Sequence, residues 1–204
     1  MHFSVSLTIS GLGIERSDRD LCRDLSFSVQ AGEAIRILGE NGAGKSSLLK
    51  VVAGVMSVQE GQIFFADQDV TLDRRLLQQT MIYIGHSTGL KERLSVAENI
   101  AFYSPHAPLD QVDQALRQLG LFHLQDVLVK SLSAGQARRV ALARLWFTNA
   151  SLWLLDEPFA ALDASGVAML EAHIQQHLSR GGMVLLTTHQ APCSLSVREL
   201  ALVP

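Results

Sequence analysis

Residues 39–46 of this chain read GENGAGKS, which matches the pattern G-x-x-x-x-G-K-[ST]. The glycines permit a tight turn in which successive backbone N–H groups point inward toward phosphate oxygens. In this pattern Lys45 supplies an ammonium for the outer phosphates, and the hydroxyl of Ser46 is a ligand for Mg²⁺. The loop follows a strand-like run, AIRIL, and precedes SSLLKVVAGVM, where apolar residues recur at helical spacing. A strand, a glycine-rich loop and a helix in this order predict a site for a nucleoside triphosphate.

The composition is that of an ordinary globular protein, with 204 residues of which 48% are hydrophobic and 18% charged. The net charge of −3 gives no electrostatic reason to expect binding to nucleic acid or to an anionic membrane surface. Two cysteines, Cys22 and Cys193, do not make a disulfide framework. The N-terminal residues lack the basic segment of a signal peptide, and no uncharged apolar run reaches about 18 residues. We therefore expect no signal peptide and no direct insertion into a membrane.

Three short runs outside the loop have strand character. Residues 3–9 (FSVSLTI) and 25–29 (LSFSV) alternate with period two, and residues 63–65 follow a turn-like Glu-Gly pair. These runs predict an antiparallel β layer beside the nucleotide-binding strand.

The middle of the chain has a different pattern. Residues 95–147 contain three helical segments, and strand, turn and helix alternate again after them. This order predicts a single α/β domain over residues 1–204, with its core at 1–86 and 150–204 and a helical subdomain inserted at about 87–149.

A second chemical motif, SLWLLDEP, occupies residues 151–158. Four apolar residues followed by Asp156 predict a buried strand that ends in a carboxylate, at the sheet edge where ligands bind in open α/β folds. Asp156 is well suited to hold Mg²⁺ together with Ser46, and Glu157 is a candidate general base for the attacking water. The alternative is that both carboxylates only cap the following turn.

A third motif, LSAGQ, lies at residues 132–136 before a helix that begins ARRVALARLWF. Ser133 and Gly135 ahead of a helix N-terminus offer a hydroxyl, backbone N–H groups and a helix dipole to an anion. A plain helix cap explains the same five residues equally well when they are considered alone.

The order of the motifs is more specific than any one of them. GENGAGKS is followed by LSAGQ, by LWLLDEP, by AALD at residues 160–163 and by the pair Thr188 and His189. This order resembles that of ATP-binding-cassette (ABC) ATPases over essentially the whole chain. The resemblance implies a P-loop NTPase fold of ABC type, with a mixed central sheet, an antiparallel β subdomain and an inserted helical subdomain.

The resemblance also implies a homodimer in which two such domains face each other head to tail around ATP and Mg²⁺. Asp163 would lie across the shared interface, and His189 would contact the γ-phosphate and the water beside Glu157. The implied catalytic residues are Glu157, His189 and Lys45. The implied ATP-binding residues are Gly39, Glu40, Asn41, Gly42, Ala43, Gly44, Lys45, Ser46 and Ser47. The implied signature residues, which act on the ATP of the second copy, are Ser133, Ala134, Gly135 and Gln136.

Two positions depart from the family pattern. No aromatic residue for stacking on adenine occurs at residues 11–20, and Arg16, whose guanidinium plane can stack on a base, is nearest the expected position. His86 stands where the family has a glutamine that senses Mg²⁺ and water. Because Mg²⁺ prefers oxygen ligands, we expect His86 to act through water or in coupling to a partner.

With these departures, the runs YIGHSTGLKERLSVAENI, LSAGQARRVALARLW and LWLLDEPFAALD resemble ATP-binding subunits of cytochrome c maturation (haem export) systems. The resemblance implies a peripheral subunit on the cytoplasmic side of the bacterial inner membrane, beneath separate integral membrane subunits of a haem-handling complex. Its ATP hydrolysis would support haem delivery or release. The alternatives are the ATPase subunit of another ABC exporter and a soluble ABC ATPase that acts on ribosomes or DNA.

Two further features have competing interpretations. His173 and His177 lie four residues apart on a predicted helix and could share a metal ion, but surface histidines on an amphipathic helix are much commoner. Residues 90–96, LKERLSV, are a candidate docking segment for a membrane partner, and a plain exposed loop is the alternative.

Overall fold

The computed structural model describes residues 5–16 and 19–202, with side chains described for 5–15 and 21–202. One of its two sheets is antiparallel, as expected from the alternating runs. It contains β1 (Ser6–Arg16), β2 (Arg19–Gln30), β4 (Glu60–Phe65) and β5 (Gln68–Asp69), in the spatial order β2-β1-β4-β5. The strand predicted at 3–9 extends to Arg16, because register shifts after Ile9 let it stay paired with β2.

The second sheet carries the chemical motifs. It contains β3 (Ala34–Leu38), β6 (Met81–Ile84), β7 (Leu152–Asp156), β8 (Met183–Thr187) and β9 (Arg198–Ala201), in the order β6-β7-β8-β3-β9. All of its described pairings are parallel, so the expected mixed central sheet is corrected here. The reason is a tight turn at residues 31–33, after which the chain leaves β2 and pairs with β8 and β9 instead. The strands β7 and β8 are buried along their whole length, as their continuous apolar sequences indicate.

Six α-helices accompany the sheets in the described chain. They are α1 (Lys45–Val52), α2 (Arg75–Thr80), α3 (Val96–Tyr103), α4 (Leu109–Gln118), α5 (Ala134–Leu142) and α6 (Ala164–Ser179). Short 3₁₀ turns occur at Phe122–Leu124, Val129–Ser131 and Ala143–Trp146. The helical segments predicted in the middle of the chain correspond to α3, α4 and α5, whereas the sequence pattern did not predict α2.

The core has three parts. The first lies between the two sheets and includes α1, and the second lies between the parallel sheet and α6. The third belongs to the helical segments, where Val96, Ile100, Leu116, Leu121 and Val140 are buried together. This separate cluster lets the helices of residues 96–146 pack as a lobe, while the exact boundaries at 87 and 149 stay a prediction.

In the part of the chain that the structure describes, no helix combines the length and the apolar character needed to cross a membrane.

Candidate active site

The glycine-rich loop joins the end of β3 to the start of α1. Gly42 and Gly44 have φ values of 86° and 98°, which side-chain-bearing residues rarely adopt. A Cβ on Gly44 would also lie only 2.8 Å from the Cβ of Leu21. Gly44 is the N-cap of α1 and provides no side-chain hydrogen bond, so the first N–H groups of the helix remain donors for an anion.

Lys45 reaches back across this loop. Its Nζ donates hydrogen bonds to the carbonyl oxygens of Gly39 (2.7 Å) and Glu40 (3.0 Å). An ammonium in this position brings a positive charge to the same loop that offers the backbone N–H groups. The two together suit a polyphosphate.

Asp156 ends β7 and is 1% exposed. Its Oδ1 accepts hydrogen bonds from the hydroxyls of Ser46 (2.9 Å) and Thr187 (2.8 Å). The structure thus brings together the two residues predicted to hold Mg²⁺. Because a buried carboxylate and a hydroxyl are hard oxygen donors, this pair fits a magnesium ion.

Glu157 has a left-handed backbone conformation, with φ of 51°. Its N–H donates to both the hydroxyl (2.9 Å) and the carbonyl oxygen (3.2 Å) of Thr187, which hold this uncommon conformation in place. Its Oε1 lies 3.5 Å from Nε2 of His189. The Glu157 side chain is 18% exposed and that of His189 is 61% exposed, so the pair meets at the edge of the protein interior.

These groups line one open cleft of about 420 Å³. The lining residues are Leu21, Glu40, Asn41, Gly42, Gly44, Lys45, Ser46, Ser47, His86, Glu157 and His189. His86 therefore shares a cleft with the candidate base and the phosphate loop. Among the described residues, no motif-independent contact defines its part in the site, so the role of His86 stays a prediction.

The side chain of Arg16 lies outside the described residues, so its predicted contact with adenine stays a prediction. Leu21, which sequence reasoning did not single out, lines the cleft and packs against Gly44. An apolar side chain at this wall offers a surface for a base. No motif signals it, because it lies in a strand rather than in the loop.

The signature residues lie elsewhere. Ser133 caps α5, accepting a hydrogen bond from the N–H of Gln136 (3.2 Å), while the Gln136 side chain accepts one from the N–H of Ser133 (2.9 Å). This confirms the local helix cap that the motif allowed. Gly135 is tightly packed, because a Cβ there would lie 2.5 Å from the carbonyl oxygen of Ala161.

Asp163 is also engaged within the chain. It caps α6 through the N–H of Gly166 (2.9 Å) and forms an ion pair with Arg139 at 2.5 Å. The Gly166 hydrogen bond and the Arg139 contact lower the pKa of the Asp163 carboxyl. Among the described residues that line the phosphate-loop cleft, none comes from 133–136 or is Asp163.

Arg138 links the signature helix to the chemical edge of the sheet, although no motif pointed to it. Its side chain is 4% exposed and donates to the carbonyl oxygens of Gly85 (2.8 Å), Asp156 (2.7 Å) and Glu157 (2.9 Å). Burial lowers the pKa of the Arg138 guanidinium. Burial, together with the Asp156 charge, raises the pKa of the nearby Tyr83 to about 12, so this phenol stays neutral near pH 7.

The paired histidines of α6 are half-buried and pack against aromatic rings. His173 stacks on Trp146 with ring centroids 3.8 Å apart, and His177 stacks on Trp153 at 3.9 Å. Burial lowers the pKa of both imidazoles. This half-buried packing differs from the exposed position that the commoner surface interpretation describes. In the described part of the chain, no group of three or more side chains that could hold a metal ion was found.

Comparison with known proteins gives consistent matches. Residues 22–160 match the family described as ABC transporter. The cytochrome c biogenesis ATP-binding export protein CcmA of Salmonella typhi is 45% identical over 190 residues, covering 92% of each chain. The protein of the same name from Yersinia pestis is 46% identical over 194 residues, covering 92% of this chain and 88% of that one.

Solved structures agree in fold. A putative ABC transporter ATP-binding protein from Pyrococcus furiosus has a TM-score of 0.83 at 21% identity, covering 97% of both chains. A bacterial Atm1-family ABC exporter with ATP bound has a TM-score of 0.86 at 23% identity, covering 98% of this chain and 37% of that chain. At these identities the likeness concerns the fold alone, and it confirms the predicted fold class.

Proposed function

Because this chain belongs to the ABC transporter family, whose ATPase domain binds and hydrolyses ATP, we propose that it energises a membrane complex for haem delivery or release in the maturation of c-type cytochromes. The observation that carries the proposal is the identity of 45% over 92% of the chain with a protein named as an ATP-binding export protein of cytochrome c biogenesis.

ATP binds in the cleft around the glycine-rich loop. The backbone N–H groups of that loop and of the start of α1 bind phosphate oxygens, with the Lys45 ammonium beside them. Ser46 and Asp156 would hold Mg²⁺, which when bound would neutralise charge on the phosphates. The proposed ATP-binding residues are Gly39, Glu40, Asn41, Gly42, Ala43, Gly44, Lys45, Ser46 and Ser47, with Arg16 at the base.

Glu157 accepts the proton of the attacking water. Thr187 binds the backbone N–H of Glu157 and Arg138 binds its carbonyl oxygen, so the backbone from which the carboxylate projects is fixed. His189, whose Nε2 lies 3.5 Å from the Glu157 carboxylate, orients the water and the γ-phosphate beside it.

The signature residues complete the site of a second copy. Ser133, Ala134, Gly135 and Gln136 begin a helix whose dipole and N–H groups favour an anion, yet they do not line the cleft of their own chain. A head-to-tail homodimer brings this helix N-terminus, and Asp163 beside it, to the partner's ATP. ATP then stabilises the dimer, and hydrolysis weakens it.

Residues 90–96 are the proposed contact with an integral membrane partner at the cytoplasmic face of the inner membrane. The segment is preformed, because the buried Asn99 side chain binds the backbone of Lys91 through its Oδ1 (2.8 Å) and its Nδ2 (3.0 Å). Beside it Phe102 is 57% exposed, with the Lys91 ammonium 5.2 Å from its ring centre. A rigid segment next to an exposed aromatic ring suits a protein partner.

The ATPase assignment is tested by Glu157→Gln. A general base contributes about 10²–10⁴-fold, so turnover should fall by at least about 100-fold while ATP binding is retained. Glu60→Gln, at an exposed position in β4, is the matched control and should leave turnover unchanged. Near-normal hydrolysis by Glu157→Gln would remove this residue from the role of base.

The haem assignment is tested in a host from which the gene has been deleted. We expect loss of covalently haem-bound c-type cytochromes, restoration by the intact gene and no restoration by Glu157→Gln. Normal cytochrome c with co-purification of a different membrane exporter would favour the exporter alternative. Recovery of the chain only with ribosomes or DNA would favour the soluble alternative.

A further inference from the structure

Arg36 is a charged residue in the middle of a core strand. Its neighbours on β3, Ile35 and Ile37, are fully buried in the cluster with α1, and Ala34 belongs to the cluster with α6. By the alternation of a strand, Arg36 points to the α6 side of the sheet, where it is 8% exposed. The fold requires only an apolar residue at such a position.

The Arg36 guanidinium binds the backbone that carries His189. Nε and Nη2 each donate to the carbonyl oxygen of Thr188 at 3.3 Å, and Nη2 also donates to that of His189 at 3.0 Å. Nη1 forms an ion pair with Glu199 of β9 at 3.1 Å. The two carbonyls directly follow β8, so Arg36 holds the backbone at the point where it leaves the sheet.

A second buried charge holds the other end of the same segment. Glu171 of α6 is 2% exposed and accepts hydrogen bonds from the N–H groups of Cys193 and Ser194, each at 2.8 Å, and from the Ser194 hydroxyl. Residues 188–194 are therefore tied at one end to β3 and at the other to α6. The His189 side chain projects from this tied segment.

The ion pair with Glu199 does not account for the arginine. Replacing a buried ion pair by apolar residues of similar size is often neutral or stabilising, because desolvation of the charges offsets their attraction. Glu199 would remain hydrated without its partner, since its side chain is 55% exposed. What an apolar residue cannot supply is the three hydrogen bonds to the Thr188 and His189 carbonyl oxygens.

We propose that Arg36 is a positioning residue for ATP hydrolysis, which fixes the backbone at 188–189 so that the His189 imidazole stays beside Glu157. This inference rests on the proposed role of His189 in the active site. The strand β3, which leads into the phosphate loop, would then also position His189 after the end of β8.

The test is a double-mutant cycle with Arg36→Met and His189→Ala, measured on the protein purified with its bound partners. Arg36→Met should lower kcat about tenfold with KM for ATP unchanged, and should lower it no further when His189 is already alanine. Arg36→Lys, which keeps a donor for the carbonyls, should recover part of the loss. Arg75→Met is the control, because Arg75 is 83% exposed and pairs only locally with Asp73.

A measurement independent of turnover is the nuclear magnetic resonance spectrum of the seven histidine rings, in which His189 is assigned by its loss in His189→Ala. Arg36→Met should shift or broaden the His189 signal, and Arg75→Met should not. The unfolding temperature of Arg36→Met should fall, because the buried carbonyl oxygen of Thr188 loses its donors, and Arg36→Lys should recover part of that loss.

The outcomes separate the two proposals. Full turnover in His189→Ala would overturn the role of His189, while the ring spectrum would still show whether Arg36 positions it. An equal loss from Arg36→Met in both backgrounds, with an unmoved His189 signal, would overturn the positioning role of Arg36.

Discussion

The phosphate-loop cleft and the signature end of α5 carry equally recognisable motifs, but the fold treats them differently. In the cleft, Ser46 meets Asp156 and Glu157 meets His189, although these residues come from separate parts of the chain. At the signature end, the described hydrogen bonds of Ser133 stay within its own helix turn, and Gly135 packs against the backbone carbonyl of Ala161. The cleft residues are thus brought together within a single chain, whereas the signature residues form a helix N-terminus outside that cleft. Binding of ATP and its turnover should therefore separate under mutation.

The largest expected effect on binding comes from Lys45→Ala. Loss of a charge-assisted hydrogen bond costs about 1.5–3 kcal/mol, which corresponds to ATP affinity about 10- to 100-fold weaker. Titration of the isolated chain with ATP measures it. Lys50→Ala, at the last turn of the same helix, is the control and should bind ATP normally. Equal affinity of all three proteins would mean that the cleft does not hold the phosphates.

The signature end is tested by Ser133→Ala, paired with Ser95→Ala. Both serines cap helices of the same lobe through the same reciprocal arrangement, so each substitution should destabilise the protein by about 1 kcal/mol. Turnover is measured on the purified chain without a membrane partner, because Ser95 lies in the proposed docking segment. Only Ser133→Ala should then lower turnover, by about tenfold, because in the proposed dimer only that hydroxyl meets the ATP of the second copy. The isolated chain should bind ATP normally in both variants.

Turnover and unfolding are compared for the two serine variants under the same conditions. If they lose turnover equally, the signature serine is only a cap, and the contrast between the two regions disappears.

Thr187→Val tests how the cleft is held together. The buried Thr187 hydroxyl donates to Asp156 and accepts from the Glu157 N–H, and valine keeps its shape without either bond. Loss of such buried bonds costs about 1–3 kcal/mol, and turnover should fall several-fold as Glu157 loses its anchor. Thr80→Val is the control, since in the described part of the chain the Thr80 hydroxyl donates only to the carbonyl oxygens of Leu76 and Leu77 within α2. A variant as active and as stable as the control would show that Thr187 does not position Glu157.

The motifs predicted from sequence are those whose chemistry is local. GENGAGKS specifies a turn and a helix start within eight residues, and LWLLD specifies a buried strand with a terminal carboxylate, so both could be located before the fold was known. The fold class followed from their order along the chain.

The supporting residues could not be found in the same way. Arg36, Arg138 and Thr187 lie in runs that have only a strand or helix pattern, and their partners are 18 to 163 positions away in the chain. The mixed central sheet was expected from the family resemblance, and the sequence pattern could not correct it because it does not show which strands pair. The sequence gives one weak signal for the two arginines, which is a charged residue inside the apolar run AIRIL and another inside ARRVAL. The structure shows both of them buried, where a charge needs specific partners.

The smallest expected effect concerns the aromatic stack between the two regions, where Trp146 follows α5 and Trp153 belongs to the strand that ends in Asp156. Burial lowers the pKa of His173 below 6.5, so below that pH the unfolded chain binds the proton more readily than the folded one. The stabilising contribution of the neutral ring is present above about pH 6.5 and is lost as the pH falls.

His173→Phe keeps an aromatic ring against Trp146 but cannot titrate, so its unfolding temperature should fall less between pH 7.5 and 5.5 than that of the unsubstituted protein. His123→Phe, at an exposed position, should keep the original pH dependence. If all three proteins lose stability in parallel, the stack does not link the signature helix to the catalytic strand through a neutral histidine.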